Sequence, residues 1–215
     1  MKGGIVSISQ KNIGLIGTQA QAVCDFLNES LFVNSNFVAL PIENPIKDVD
    51  GASTPDLHSF TALIYLFSAK TGLEQWISEH WSHARELYIP SLVAVTDLDK
   101  TEDLDFEDAT LIIGRMLDPV ITPHLILHGD EGEPIALIDI EKLTITRYDL
   151  SPVETSPAES EHNLLVLEFR QELFNKYEEM GREGFEQGLL FPAIPLILSR
   201  NGLGTREIYQ QLLSL

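Results

Sequence analysis

Residues 83–101 read HARELYIPSLVAVTDLDKT, and three kinds of local chemistry follow one another within them. Ala84 and Leu87 belong to a helical pattern that begins upstream, where Leu73, Trp76, Ile77 and His80 recur at helical spacing. Pro90 ends that pattern. Ser91-Leu92-Val93-Ala94-Val95 then forms a strand-length apolar run, of the kind that suits a strand covered on both faces in a mainly parallel sheet. The run closes on an acidic turn, Thr96-Asp97-Leu98-Asp99-Lys100-Thr101.

The same grammar repeats outward from this point. Ile13 to Ile16 is an apolar run ending at Gly17, Phe37 to Leu40 is closed by Pro41, and Ala62 to Phe67 and Ala193 to Leu198 supply two more. Ile208, Leu212 and Leu215 define a closing helix. Apolar runs alternating with helical patterns predict an α/β fold: a doubly wound, mainly parallel sheet with helices on both faces. Residues 118–190 break this rhythm. Pro119, Pro123 and the acidic turn His128 to Pro134 separate strand-like runs at Ile121 to Leu127 and Ile135 to Ile140, with a third at Leu143 to Thr146. Ser151 to Ser160 reads as a loop or linker. Leu165, Phe169, Leu173 and Tyr177, four residues apart, predict a long helix before Gly181, Gly184 and Gly188. The expected organisation is a core of residues 1–117 and 191–215, with an α+β subdomain of residues 118–190 inserted in it.

Composition excludes several classes. The 215 residues carry 33 Asp and Glu against 14 Lys and Arg, a formal charge of -19, which argues against a broad nucleic-acid-binding face. Hydrophobic residues at 44% and charged residues at 22% fit a folded protein rather than an acidic tail. No stretch is long and apolar enough to span a bilayer, and the opening MKGGIVSISQ has no apolar signal core, so a soluble cytoplasmic protein is expected. The single cysteine, Cys24, excludes an internal disulfide and a cysteine-rich zinc site.

Two turns could carry chemistry. Gly17 to Cys24 follows the first strand, where a phosphate-binding loop would read G-x-x-x-x-G-K-[ST]. Here Ala22, Val23 and Cys24 replace the second glycine, the lysine and the hydroxyl. Taken alone, it is an ordinary strand-to-helix turn. The Asp97 turn matches D-x-D-x-T, in which Asp97 would attack phosphorus and Asp99 would act as acid and base in a phosphatase. It also matches a degraded guanine-specificity loop, N-K-x-D, in which only Asp99 survives. A solvated acidic turn, continued by Glu102, Asp103, Asp105, Glu107 and Asp108, is the plain alternative. His80 and His83, with Glu79 beside His80, lack the further ligands that zinc needs.

The order of these signals along the chain resembles the N-terminal GTPase domain of bacterial elongation factor G, including its inserted subdomain. Gln10 to Gly17 is similar to that family's opening RNIGISA strand, and His83 to Thr101 parallels QAREYGIPRIAFVNKMDRT almost position by position. Asp118 to Gly132 and Ala136 to Leu143 resemble the start of the family's insertion, and Phe191 to Leu212 its closing strand and helix. The resemblance implies a P-loop-NTPase-like fold, with Gly17, Asp99 and Ser199 as vestigial nucleotide-binding residues. It also implies a ribosomal or ribosomal-stalk partner. The departures imply loss of activity: no loop lysine, no magnesium-binding hydroxyl, no D-x-x-G (Pro41 to Pro45 stands there), and no switch-I threonine segment. Hydrolysis depends on positioning magnesium and spreading phosphoryl charge. The expectation is therefore a noncatalytic scaffold or interaction module with no cofactor, no metal and no membrane contact. Weak GDP or GTP binding is the alternative, and an Asp97/Asp99 phosphatase the second.

Overall fold

The computed structural model describes residues 9–43, 56–101 and 103–215. Residues 44 and 45 of the segment standing for D-x-x-G, Glu102 of the acidic turn, and residues 1–8 of the expected core lie outside them.

Among the described residues, five strands form one parallel sheet: β1 (Lys11–Ile16), β2 (Phe37–Ile42), β3 (Ala62–Ser68), β4 (Ser91–Thr96) and β9 (Ala193–Pro195). Their spatial order is β2-β1-β3-β4-β9. Every residue of β3 and β4 is buried, as expected for central strands covered on both faces. Helix α1 (Ala20–Ser30) lays Val23, Cys24 and Leu27 on one face of the sheet, joined there by Ile208 and Leu212 of α6 (Thr205–Leu212). Helices α2 (Gln75–Glu86) and α3 (Phe106–Met116) cover the other face through Ile77, Trp81 and Ala84, and through Phe106, Ala109 and Ile113. The doubly wound α/β reading holds. Part of the acidic run has a local use: the Asp105 side chain accepts from Asp108 N–H at the start of α3, and Glu107 and Asp108 lie in its first turn.

Between α3 and β9 the chain builds a second, antiparallel sheet in the order β5-β6-β7-β8. Its strands are β5 (His124–His128), β6 (Pro134–Asp139), β7 (Thr144–Arg147) and β8 (Glu154–Pro157). Helices α4 (Ser160–Leu165) and α5 (Leu167–Met180) follow. Three expectations are corrected here. The supposed linker contains β8, whose four residues are all exposed; it is held by backbone pairing to β7, so no apolar alternation marks it. The long helix is interrupted at Val166, which is fully buried while Leu165 is 63% exposed. The inward stripe is accordingly Val166, Phe169, Leu173 and Tyr177. The last core strand stops at Pro195 rather than Leu198: Leu196 N still donates to Val95 O at 2.8 Å, but Ile197 then turns away to pair with Leu203.

The second sheet is tied to the core by Tyr148, whose hydroxyl donates to the buried Glu207 carboxylate on α6. Asn201 Nδ2 donates to Tyr148 O at 2.6 Å, and Leu137, Tyr148, Ile197 and Leu203 pack together around this junction. At the opposite edge of the core sheet, Lys11 N donates to Asn36 O, so Phe37, Ala39 and Pro41 of β2 turn their backbone groups outward. Ser35 Oγ accepts from Phe37 N at 3.1 Å, and the Asn28 carboxamide both accepts from Ala39 N and donates to Ala39 O, each at 2.9 Å. Pro41 has no N–H.

Candidate functional site

In a doubly wound sheet, ligands bind beyond the carboxyl ends of the strands, where the chain order reverses. Here that crevice lies above β1 and β3. Gly17 closes β1 at φ +119°, and a Cβ placed there would sit 2.7 Å from Leu66 O of β3. Glycine is thus set by close packing of the turn on the neighbouring strand.

The turn after it is short. Helix α1 starts at Ala20, with Ala20 N donating to Gly17 O and Val23 N to Gln19 O. The expected correspondence of residues 17–24 to a phosphate loop therefore extends only to its first glycine. Ala22 is an exposed helical residue, and Val23 and Cys24 point into the core at 0% and 1% exposure. The Cys24 thiol is pushed up to about 12 by burial and then by the neighbouring Asp25, which leaves it inert as a nucleophile.

A polar clasp spans the crevice. Asp97, just past β4, takes the left-handed conformation (φ 60°), which short polar side chains tolerate, and its side chain is buried. Gln19 Nε2 reaches across from the β1–α1 turn and donates to both carboxylate oxygens, at 2.9 and 3.0 Å. Ser68 Oγ, at the end of β3, donates to Oδ2 at 2.7 Å, and Lys100 Nζ donates to Oδ1 at 2.6 Å. Three strands are thereby joined through one carboxylate. The sequence marks Asp97 but gives no sign that Gln19 and Ser68 are its partners, because they lie 78 and 29 residues away. For a phosphatase nucleophile the arrangement is unsuited, since both oxygens are already engaged.

Burial alone would raise the Asp97 carboxyl, but the hydrogen bonds from Lys100, Ser68 and Gln19, with the Lys100 charge, hold it below the usual aspartate range. A lowered folded value means the ionised clasp contributes its full stability above the unfolded aspartate range. That contribution is lost as pH falls through the folded value. Asp97→Asn should remove about 1–3 kcal/mol at neutral pH and flatten the acid limb of stability against pH. Urea unfolding from pH 7 down to the acid range measures both; an unchanged acid limb would show that the clasp carries no linkage.

Asp99 and Ser199 are brought together from 100 residues apart: Ser199 Oγ donates to Asp99 Oδ2 at 2.6 Å on the exposed surface. Arg200 lies beside them in a cleft that also touches Lys100 and Glu131. Gly17 lies elsewhere, in a second cleft of about 280 Å³. Among the described residues, that mouth carries Glu43, Glu74 and Trp76 and no lysine or arginine, and Trp76 Nε1 donates to Glu74 at 2.9 Å. The field of these groups opposes phosphate rather than attracting it. His80 accepts or donates at the Tyr65 hydroxyl, 3.0 Å away, and burial lowers its pKa to about 4. Among the described residues, no three histidine, cysteine or carboxylate side chains converge to hold a metal, and no helix is long and apolar enough to cross a membrane.

No family model matches this chain, and no curated protein does. Solved structures do match in shape. One is the crystal structure of ttk003000868 from Thermus thermophilus, with a TM-score of 0.71 over 95% of this chain at 19% identity. At that identity the likeness shows the fold. The chain spans 40% of that protein's length.

Proposed function

We propose that this chain is a degenerate, elongation-factor-G-like GTPase domain that does not hydrolyse GTP and acts as a translation-related scaffold or protein-interaction module in the cytoplasm. In this reading the doubly wound sheet is a P-loop-NTPase-like core and residues 118–190 are its inserted α+β subdomain. Ribosome or ribosomal-stalk contact is the proposed partner class. The observation that carries the loss of activity is the clasp. Gln19, Ser68 and Lys100 spend their donors on Asp97 across the crevice, while Val23, in the position of the loop lysine, is in the core. Among the described residues at the Gly17 mouth there is no cation, so a triphosphate would meet the Glu43 and Glu74 carboxylates uncompensated.

One observation favours a second reading, weak guanine-nucleotide binding: Asp99 and Ser199 remain side by side. Isothermal calorimetry with GDP and GTP, with and without magnesium, separates the two. No heat of binding is expected at micromolar nucleotide, and micromolar affinity for either nucleotide would overturn the scaffold proposal.

A further inference from the structure

We infer that the trough between the β4–α3 loop and the β5–β6 hairpin binds a basic peptide segment anchored by one large apolar side chain. This inference rests on the interaction-module reading and names the chemistry of the partner.

Two clefts, of about 320 and 410 Å³, share Leu98, Thr101, Gly132 and Pro134 and so form the two ends of one trough. One end has an apolar floor of Leu104, Phe106, Leu125 and Ile126 with the shared Leu98 and Pro134, and Thr101 and His128 also line it. Leu98, Leu104 and Ile126 are half-buried there, with Phe106 and Leu125 buried beside them, and the volume of about 320 Å³ leaves room for one aromatic or branched side chain. The rim has the opposite character. Asp105 and Glu107 edge the apolar end, and Asp99, Glu131 and Glu133 edge the other.

Among the described residues, the cations at the rim do not balance these carboxylates. Lys100 is bound to Asp97, which leaves Arg200 facing the charged end. An apolar slot flanked by carboxylates selects a positively charged ligand with an apolar anchor and repels nucleotides and nucleic acid. Two adjoining clefts that share one wall and open to solvent fit an extended segment better than a compact small molecule. The two walls come from different sheets, and their spacing depends on the Tyr148–Glu207 junction that joins those sheets.

The test uses the full chain and a fluorescein-labelled peptide, Gly-Lys-Phe-Lys-Lys-Gly, read by fluorescence anisotropy at physiological salt, where diffuse attraction to an acidic surface is screened. Replacement of phenylalanine by serine in the peptide should weaken binding about tenfold or more, because the anchor leaves its slot. Glu107→Lys and Glu131→Lys, both at exposed rim positions, should each weaken it to a similar degree. Glu29→Lys, at the end of α1 on the opposite face of the core sheet, makes the same change in net charge and should leave affinity unaltered.

Equal loss in Glu29→Lys, equal binding of the serine peptide, or no binding of the phenylalanine peptide would each overturn the inference. Circular dichroism of every variant separates loss of binding from loss of fold. Calorimetry with GDP on the same samples keeps the two proposals apart: nucleotide binding with intact peptide binding sinks the scaffold reading alone, and the reverse sinks only the trough.

Discussion

Val23→Lys, which restores the lysine of a phosphate-binding loop at its expected place in the sequence, should unfold the domain rather than recover nucleotide binding. Val23 is 0% exposed and packs among Leu27, Cys24 and the sheet residues beneath α1. An ammonium there would be removed from water with no partner, and its pKa would be driven down by burial. The effective penalty for an unpaired buried charge is several kcal/mol, and lost packing of the valine adds to it. Domains of this size are stable by about 5–15 kcal/mol, so little or no folded protein should remain at 37 °C. Thermal denaturation followed by circular dichroism gives the answer, with calorimetry against GTP on whatever folds. A cooperatively folded variant that binds GTP would mean that the α1 turn can reshape into a cradle and that the nucleotide site is not lost.

Gly204→Ala should be nearly as damaging, for a backbone reason. Gly204 precedes α6 at φ +90°, and a Cβ built on it would lie 1.7 Å from Pro195 O and 2.9 Å from Pro195 C. No side-chain rotation relieves a clash with backbone. The chain would have to move the start of α6 away from β9, which would loosen Ile208 and Leu212 in the core and Glu207 beneath Tyr148. An expected loss above about 4 kcal/mol places it among the few substitutions whose effect is diagnostic. Urea denaturation of the purified variant tests it, and a loss below about 1 kcal/mol would sink the prediction. The comparison with Gly132 is instructive: its φ is +83°, yet no described atom lies within 4 Å of a Cβ there, so positive φ alone is the milder condition.

The core strands were legible because they are buried on both faces. A run such as Ala62 to Phe67 is apolar throughout and only of strand length, which fits a strand covered on both faces. Elements held by other means were harder to read. β8 is fixed by backbone pairing alone and has four exposed side chains. The break at Val166 shifts the buried stripe by one residue, so that Leu165, which fits the four-residue spacing, is the one left in solvent. At the site, Asp97, Asp99 and Ser199 could each be singled out locally. The distinction between them could not: Asp97 is buried and bound by three strands' worth of donors, whereas Asp99 is exposed and held by Ser199. That difference arises from contacts up to 100 residues apart in sequence, and it decides which aspartate is structural and which remains at the surface.

The outer edge of β2 bears on how this domain can meet other proteins. A sheet commonly recruits a partner by lending it a row of unsatisfied amides to copy, and the same row lets identical chains template on one another. Here that row is spoken for at Phe37 and Ala39 by Ser35 and Asn28, and is missing altogether at Pro41. The core sheet is thus closed to a further strand on that side. Copies crowded together find no row of amides to template on along this margin, so recognition there falls to loops and helix faces, which read side chains rather than backbone.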